Sequence, residues 1–366
     1  MLLACKSKPA SSAANTTPVD TAKKTIANVL DPRDTDFDLP GIDADYTSKA
    51  IDTLYVINRD GAEEKDRPDI NSKTVLVRDL SDPWNHNEIK PPLKFEFGHP
   101  LIVLEKINGW LGVLEHITRR TKEKGQAWLT SDWEKVYVQE SKTGKITDVK
   151  IPPEELRVIN PDDGDATGHP KVYLKGYLDL QLISKSEYED KKATAINYLD
   201  EDTATIKKKD YVIKLPCRKT IVRYTDDTTS GDSYTVYNYI GQLPLINKYV
   251  VKGEYDGIES GDFNLVDKTT GEATSIVSYP YVSNDKKYVV CVTQDVDNMT
   301  ANFGLYKISE TGIKTILNVN FEYWMPTDDE KAMFFASDGC LYVPVRYATI
   351  ANEKNAYFQY LKITIL

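Results

Sequence analysis

The chain of 366 residues carries 46 basic and 56 acidic side chains, which gives a formal net charge of -10. A surface of this sign repels phosphate backbones, so we expect no nucleic-acid partner. Apolar residues make up 40% of the chain, enough to build hydrophobic cores. No apolar run approaches the roughly 20 residues that cross a bilayer, which excludes an internal membrane span. The length of the chain predicts one to three domains.

The order of the first residues predicts a targeting signal. Leu2, Leu3 and Ala4 precede Cys5, and this order resembles the lipobox that ends the signal peptide of bacterial lipoproteins. In that family the cysteine carries the lipid, so the resemblance implies lipidation of Cys5. It also implies a bacterial cell envelope, on the periplasmic side or at the cell surface, with membrane contact only through the lipid. The alternative is a cysteine that stands there by chance.

The residues after Cys5 are small and polar, with almost nothing to bury. Such a composition stays flexible and acts as a tether. Residues 1–50 are therefore predicted to be a lipobox remnant followed by a flexible tether.

Residues 51–188 contain short segments rich in β-branched and aromatic residues, separated by glycine and proline. This pattern predicts short strands in a small barrel or sandwich. The predicted strands cover residues 51–57, 73–77, 100–106, 109–115, 126–129, 135–138 and 172–178.

The order of these segments resembles that of bacterial SH3-like domains. A Gly-Trp step opens a strand at Gly109 and Trp110, a Gly-x-x-Trp step ends at Trp128, and a closing Gly-Tyr-Leu segment contains Tyr177. A tight turn at the glycine would direct a large aromatic side chain into a barrel too small to fill otherwise. The resemblance implies a small SH3-like barrel over residues 51–188. Relatives often bind cell-wall peptides, which implies ligand-binding roles for Trp110, Trp128 and Tyr177.

Residues 189–209 are polar and charged, with little apolar periodicity, and are predicted to be a linker. In residues 210–366 a turn-plus-strand unit recurs three times, beginning at Asn247, Asp285 and Asp329. A proline precedes each unit. Recurrence of this kind predicts a repeat architecture of stacked hairpins.

Residues 281–287, with the sequence Tyr-Val-Ser-Asn-Asp-Lys-Lys, resemble the Ser-Pro-Asp-Gly-Lys turn of TolB-type β-propellers. Propellers need at least about four blades to close, and the chain offers three units and a fragment. The sequence therefore predicts an all-β protein, in which an SH3-like small barrel is followed by a partial β-propeller or a curved antiparallel sheet.

Acidic residues recur in the predicted loops of the second region, and stacked hairpins would bring such loops to one rim. Their oxygen atoms suit Ca²⁺ or a basic partner. The alternative is that these loop tips are simply solvated, which the lack of EF-hand spacing favours. The residues of this acidic rim are Asp226, Asp227, Asp232, Asp256, Glu259, Asp262, Asp295 and Asp297.

The sequence contains no recognisable catalytic motif. The four histidines, His86, His99, His116 and His169, lack metal-ligand or triad spacing, and every cysteine after Cys5 follows the last of them. Nucleophile elbows, phosphate loops and dinucleotide fingerprints are missing. We therefore predict no enzyme and no cofactor.

The leading functional prediction is a non-catalytic envelope lipoprotein that binds or scaffolds cell-wall peptide or protein partners. Two alternatives stay open at this point. One is a hydrolase with a convergent carboxylate site that pattern analysis does not detect, and the other is a purely structural spacer.

Overall fold

The computed structural model describes residues 29–30, 49–78, 89–92, 94–123, 126–159, 174–202, 204–229, 234–255, 258–310, 312–353 and 357–366. Strands dominate these residues and only one α-helix occurs among them, α1 (Lys185–Lys192). The all-β prediction is confirmed at this level. Several antiparallel sheets are present, and within the described part of the chain none closes on itself.

The strands of the first 145 residues are β1 (Val29–Leu30), β2 (Asp52–Val56), β3 (Ala62–Glu63), β4 (Thr74–Arg78), β5 (Ile89–Pro92), β6 (Lys94–Phe95), β7 (Pro100–Ile107), β8 (Trp110–Glu123), β9 (Gln126–Gln139) and β10 (Thr143–Gly144). The later strands are β11 (Leu178–Ile183), β12 (Ala195–Ile196), β13 (Val212–Pro216), β14 (Ile221–Thr225), β15 (Thr235–Leu243), β16 (Lys248–Tyr255), β17 (Ile258–Asp267), β18 (Ala273–Ile276), β19 (Tyr281–Val282), β20 (Tyr288–Asp295), β21 (Thr300–Ser309), β22 (Gly312–Phe321), β23 (Trp324–Pro326), β24 (Phe334–Ala336), β25 (Leu341–Tyr347) and β26 (Gln359–Ile365).

The chain divides into two compact units. The first contains Met1–Asp52, Ala62–Phe95 and Ile102–Glu140, and the second contains Thr53–Gly61, Glu96–Leu101 and Ser141–Leu366. The domain limits of 51–188 and 210–366, which come from the sequence pattern, stay a prediction.

A long hairpin of β8 and β9 forms the centre of the first unit, with Trp110 opposite Gln139 at one end. β7 pairs with β8 through a two-residue turn at Asn108 and Gly109, whose φ angles of 48° and 80° are both positive. An Asn-Gly pair favours such a turn, because both residues tolerate the left-handed region and its twist matches that of the strands. The inward side chains of these strands are aliphatic and fully buried: Val103, Leu111, Val113, Val136 and Val138.

Two four-stranded antiparallel sheets follow each other along the second unit. Their strand orders are β15-β16-β17-β18 and β19-β20-β21-β22, so each is a simple up-and-down meander. β13 and β14 form a separate hairpin before them. A further sheet has the order β11-β26-β25-β24-β12, and β23 pairs with β25. In this sheet β11, which precedes the two meanders in the chain, pairs with β26, the last strand.

The main core of the second unit is built from aromatic and aliphatic side chains of the three larger sheets, whereas Ile213 and Leu215 of the β13–β14 hairpin belong to a separate, smaller cluster. Trp324 is completely buried, stacks on Phe321 at a centroid distance of 4.7 Å, and donates its indole N–H to the carbonyl of Leu156 over 3.2 Å. A buried tryptophan stays stable in such a core because its one polar atom has a partner.

The segment predicted as a linker, 189–209, contains the end of α1 and all of β12. Ser184 caps α1 by accepting a hydrogen bond from the backbone of Glu187 over 3.1 Å. Leu199, from the same segment, is part of the core of the second unit. The segment is thus folded onto the second unit through a few apolar residues within a polar sequence.

Candidate functional site

The three aromatic residues predicted to bind a ligand lie in different settings. Trp110 opens β8 in the first unit and is only 9% exposed, which agrees with a core position. Trp128 lies in β9 opposite Thr121, and its side chain is outside the described part of the structure. Tyr177 belongs to the second unit, is 38% exposed, and accepts a backbone hydrogen bond from Leu366 over 3.0 Å. Ligand binding by these residues stays a prediction.

The first loop of the predicted acidic rim lies between β14 and β15. Asp226 exposes only 4% of its side chain, which pairs with Lys208 Nζ at 2.6 Å and accepts the backbone N–H of Tyr237. Asp227 accepts the backbone and hydroxyl hydrogen bonds of Thr229, and these bonds lower its pKa. Both carboxylates therefore stabilise the local backbone.

The other described rim residues lie in β17, the third strand of the first four-stranded sheet, or at the end of β20, the second strand of the next. Asp262 lies inside β17 and not in a loop, and it accepts a hydrogen bond from the Tyr255 hydroxyl over 3.2 Å. Glu259 is also in β17. At the end of β20, Asp295 accepts two hydrogen bonds from Asn298, which is followed shortly by the start of β21. Asp297 lies in this same turn.

The remaining predicted residues, Asp232, Asp256 and the lipidation residue Cys5, lie outside the described residues. Across the described ranges, no three His, Cys, Asp or Glu side chains are placed to share a metal ion. The Ca²⁺ site therefore stays a prediction.

The structure brings together a second set of charged side chains, which the sequence analysis did not find. We call it the Glu330 cluster; its members are Glu201, Lys252, Glu254, Tyr279, Glu330 and Lys331. All belong to the second unit, but they come from the loop after β12, from β16, from the residues before β19, and from the short 3-10 helix Glu330–Ala332.

Ion pairs and hydrogen bonds connect the members of the Glu330 cluster. Lys252 Nζ lies 3.8 Å from a carboxylate oxygen of Glu254 and 4.0 Å from one of Glu330. On the other side, Glu201 pairs with Lys331 at 3.2 Å and accepts the Tyr279 hydroxyl at 3.2 Å. Each charged group thus has a partner of opposite sign or a hydroxyl donor.

The position of Glu330 depends on local structure and on an aromatic neighbour. Asp329 caps the 3-10 helix by accepting the N–H of Lys331 over 2.9 Å. The buried Tyr281 donates its hydroxyl to the backbone carbonyl of Glu330 over 2.7 Å. The ring centroids of Tyr279 and Tyr281 are 5.0 Å apart, and we call this pair of rings the aromatic base of the cluster.

The surroundings of Glu330 raise the pKa of its carboxyl group. Partial burial raises the pKa of Glu330 above its ordinary value; Lys252 opposes this shift, and the nearby Glu201, Asp329 and Glu254 carboxylates add to it. Burial also raises the pKa of Tyr279 to about 12. The three glutamates of the cluster and the neighbouring Asp329 are thus four carboxylates beside two lysines, and a further positively charged group would relieve the repulsion among the acids.

Pattern analysis missed this cluster because its members are far apart in sequence, with Glu201 and Lys331 separated by 130 positions. The local signals, a Lys-Gly-Glu triplet in β16 and an Asp-Glu-Lys turn, are ordinary surface sequences.

Cys217, Cys291 and Cys340 are free thiols, and burial raises the pKa of Cys291 to about 12, which keeps it protonated and unreactive.

Among the described helices, none is long and apolar enough to cross a membrane. Comparisons with protein-family models, with curated proteins and with solved structures found no match.

Proposed function

We propose that this protein is a non-catalytic binding or scaffolding lipoprotein of a bacterial cell envelope, whose partner is a cell-wall peptide or a protein. The Glu330 cluster is the observation that supports a binding role, because it offers an excess of carboxylate oxygens on an aromatic base. The envelope location rests on the lipobox-like sequence ending at Cys5 and on the polar tether that follows it.

The cluster favours a partner with basic groups. Its members are partly exposed, with side-chain exposures of 24% for Lys252, 38% for Glu201 and 39% for Glu330. An incoming ammonium or guanidinium group could hydrogen-bond to these carboxylates and replace a lysine as their counter-charge. Complementary charge of this kind increases the association rate and selects the partner.

We propose further that the first region is SH3-like and that the second is a partial β-propeller. Two consecutive four-stranded meanders support the second proposal, because each blade of a β-propeller is a four-stranded antiparallel sheet. The pairing of β11 with the last strand, β26, also supports it, since that pairing joins a strand that precedes the two meanders to the strand that ends the chain. For the first region, the Asn-Gly turn that leads into the buried Trp110 is the supporting feature.

Sedimentation with purified peptidoglycan tests the binding proposal. We expect the full-length protein to pellet with the polymer, and the double variant E201Q/E330Q to remain largely in the supernatant. The matched control is E154Q/E310Q, which also removes two carboxylates, both from exposed positions outside the cluster. A control that behaves like wild type assigns the loss of binding to the cluster and not to net charge.

Two outcomes count against the proposal. If wild type does not pellet and no envelope protein is retained by the immobilised chain in a salt-dependent manner, the binding role is overturned. If wild type pellets and E201Q/E330Q pellets equally, binding takes place elsewhere on the protein. Circular dichroism of each variant should overlay that of wild type, so that unfolding is not mistaken for lost binding.

A hydrolase is the second candidate function, and the raised pKa of Glu330 beside Glu201 is the observation that favours it. A carboxyl group with a raised pKa can act as a general acid, and a nearby carboxylate can act as a base. Release of soluble fragments from peptidoglycan by wild type, and its loss in E330Q, would favour this candidate. Binding without fragment release favours the non-catalytic proposal.

A further inference from the structure

A buried carboxyl group in the first unit is not used by the proposed binding function. Glu64 follows β3 and is only 2% exposed, and its Oε2 atom has no hydrogen-bond partner among the described residues. An isolated ionised carboxylate is costly to bury, so such a group either acquires a counter-charge or stays protonated.

The cation nearest in sequence is engaged elsewhere. Lys65 Nζ donates to the Thr74 hydroxyl at 2.6 Å and lies 3.2 Å from the exposed carboxylate of Glu63. Successive side chains of an extended segment point to opposite sides, so Glu63 and Lys65 face away from Glu64. Asp66, the next acidic residue, pairs loosely with Arg67 at 3.9 Å.

The β8–β9 hairpin presents further carboxylates to this region. Glu115 and Glu134 are directly opposite each other in the two strands and therefore share one face. Glu134 is only 3% exposed, and the charge of Glu115 acts on Glu64. Glu115, whose charge raises the pKa of Glu64, thus lies on the same face of the hairpin as Glu134.

The basic residue of the same strand belongs to the other face. Lys135 lies one position after Glu134, and its ammonium contacts Glu105 at 2.7 Å. Tyr137 shares that second face and donates its hydroxyl to Glu105 over 2.8 Å. The charge of Lys135 is therefore balanced by Glu105, across the sheet from the Glu115–Glu134 pair.

We propose that Glu64 is protonated in the folded first unit and that its ionisation loosens this unit as the pH rises. Burial first, and the Glu115 charge second, raise the pKa of Glu64 well above its ordinary value. Because the folded state binds this proton more tightly than the unfolded state, its stabilising effect is full below the ordinary glutamate pKa. The effect is lost as the pH rises toward the folded-state pKa.

Two measurements on the full chain test this proposal. The infrared spectrum at pH 7 should contain a carboxylic-acid C=O band that E64Q removes and the neighbouring E63Q retains. Hydrogen exchange of residues 102–115 and 133–140 should be compared between wild type and E64Q at matched pH. Between pH 5 and pH 7, the ratio of wild-type to E64Q exchange should rise about tenfold per pH unit while the folded state holds the proton.

Each measurement has an outcome that overturns the proposal. A protonated-acid band that is missing at pH 7, or that persists in E64Q, shows that Glu64 is ionised. An exchange ratio that stays constant with pH removes the loosening step. Protection that increases when Ca²⁺ or Mg²⁺ is added at pH 8 would assign the counter-charge to a cation. If E64Q does not fold, E115Q serves instead, since removing this neighbouring negative charge should move the loss of the band to lower pH.

Discussion

Lys248 and Asp267 face each other across β16 and β17, with Lys248 Nζ 3.0 Å from Asp267 Oδ2. Lys248 is only 5% exposed, so this ammonium depends on one carboxylate for its counter-charge. Asp267 also accepts the backbone N–H groups of Thr269 and Thr270, each at 2.8 Å. The pair therefore joins a buried lysine to the turn that follows β17.

Replacing Asp267 tests the energetic weight of this pair. D267N leaves the buried ammonium without its charge partner, and we expect a loss of about 3 kcal/mol in the free energy of unfolding at pH 7. The measurement is chemical denaturation followed by circular dichroism. D297N, in the exposed turn after β20, is the control and should unfold like wild type.

The same pair predicts a pH dependence. Backbone hydrogen bonds, first that of Thr270, and the ion pair with Lys248 lower the pKa of Asp267 from 3.8 to about 2. A lowered folded-state pKa means that the stabilisation is full above the ordinary value and is lost as the pH falls through the folded-state value. The difference between wild type and D267N should therefore shrink below pH 3.8. A difference that is the same at pH 7 and pH 2.5 would contradict this linkage.

Trp110 should be important for the stability of the first unit. Its side chain is 9% exposed at the start of β8, next to the Asn-Gly turn. W110A should cost about 3–5 kcal/mol, through lost burial and the cavity left behind, and W110F should cost less. Denaturation curves that overlay wild type would place the side chain at the surface and strengthen a ligand-binding role.

Calcium should leave the melting temperature unchanged. Asp226 already has Lys208 as its counter-ion, and Asp262 is held in a strand by Tyr255, so neither carboxylate is a free ligand. Thermal melts with millimolar Ca²⁺ and with chelator should coincide. A rise in melting temperature that D262N abolishes would establish a cation site. A salt-sensitive partner interaction without a calcium effect would indicate protein docking at the acidic rim.

The lipid anchor is tested in cells. Expressed behind an intact bacterial signal peptide, the full-length protein should partition into membranes, and C5S should release it into the soluble fraction. The control is S7A, two positions further along the tether. Partitioning that does not change in C5S would remove the lipoprotein proposal while leaving the binding proposal intact.

The sequence alone was sufficient for the β class and for the tight turn before Trp110. β-branched and aromatic residues favour extended chain locally, and Gly109 allows the chain to turn, so parts of β7 and β8 follow from neighbouring residues. Strand length was underestimated: the predicted segments 126–129 and 135–138 are parts of one strand, β9. The polar residues between them are accommodated in β9, where they pair with β8.

The helix α1 illustrates what local patterns miss. Its sequence is charged almost throughout, yet Tyr188 is buried against Phe334 and donates its hydroxyl to the carbonyl of Ala332 over 2.6 Å. One aromatic residue in a polar stretch produces no apolar periodicity, so the sequence pattern does not indicate a helix at residues 185–192. The folding of α1 depends on a surface supplied more than a hundred residues later.

The tertiary structure alone decided which charged groups meet. Carboxylates and lysines are common on any surface, and their composition does not indicate whether Glu201 and Lys331 are neighbours or whether Glu64 is buried. Strand pairing between distant segments sets these distances, and burial then sets the pKa of each group. The sequence by itself therefore determined the β architecture and the surplus of acid, whereas the long-range pairing of strands placed that acid at the Glu330 cluster and beside Glu64.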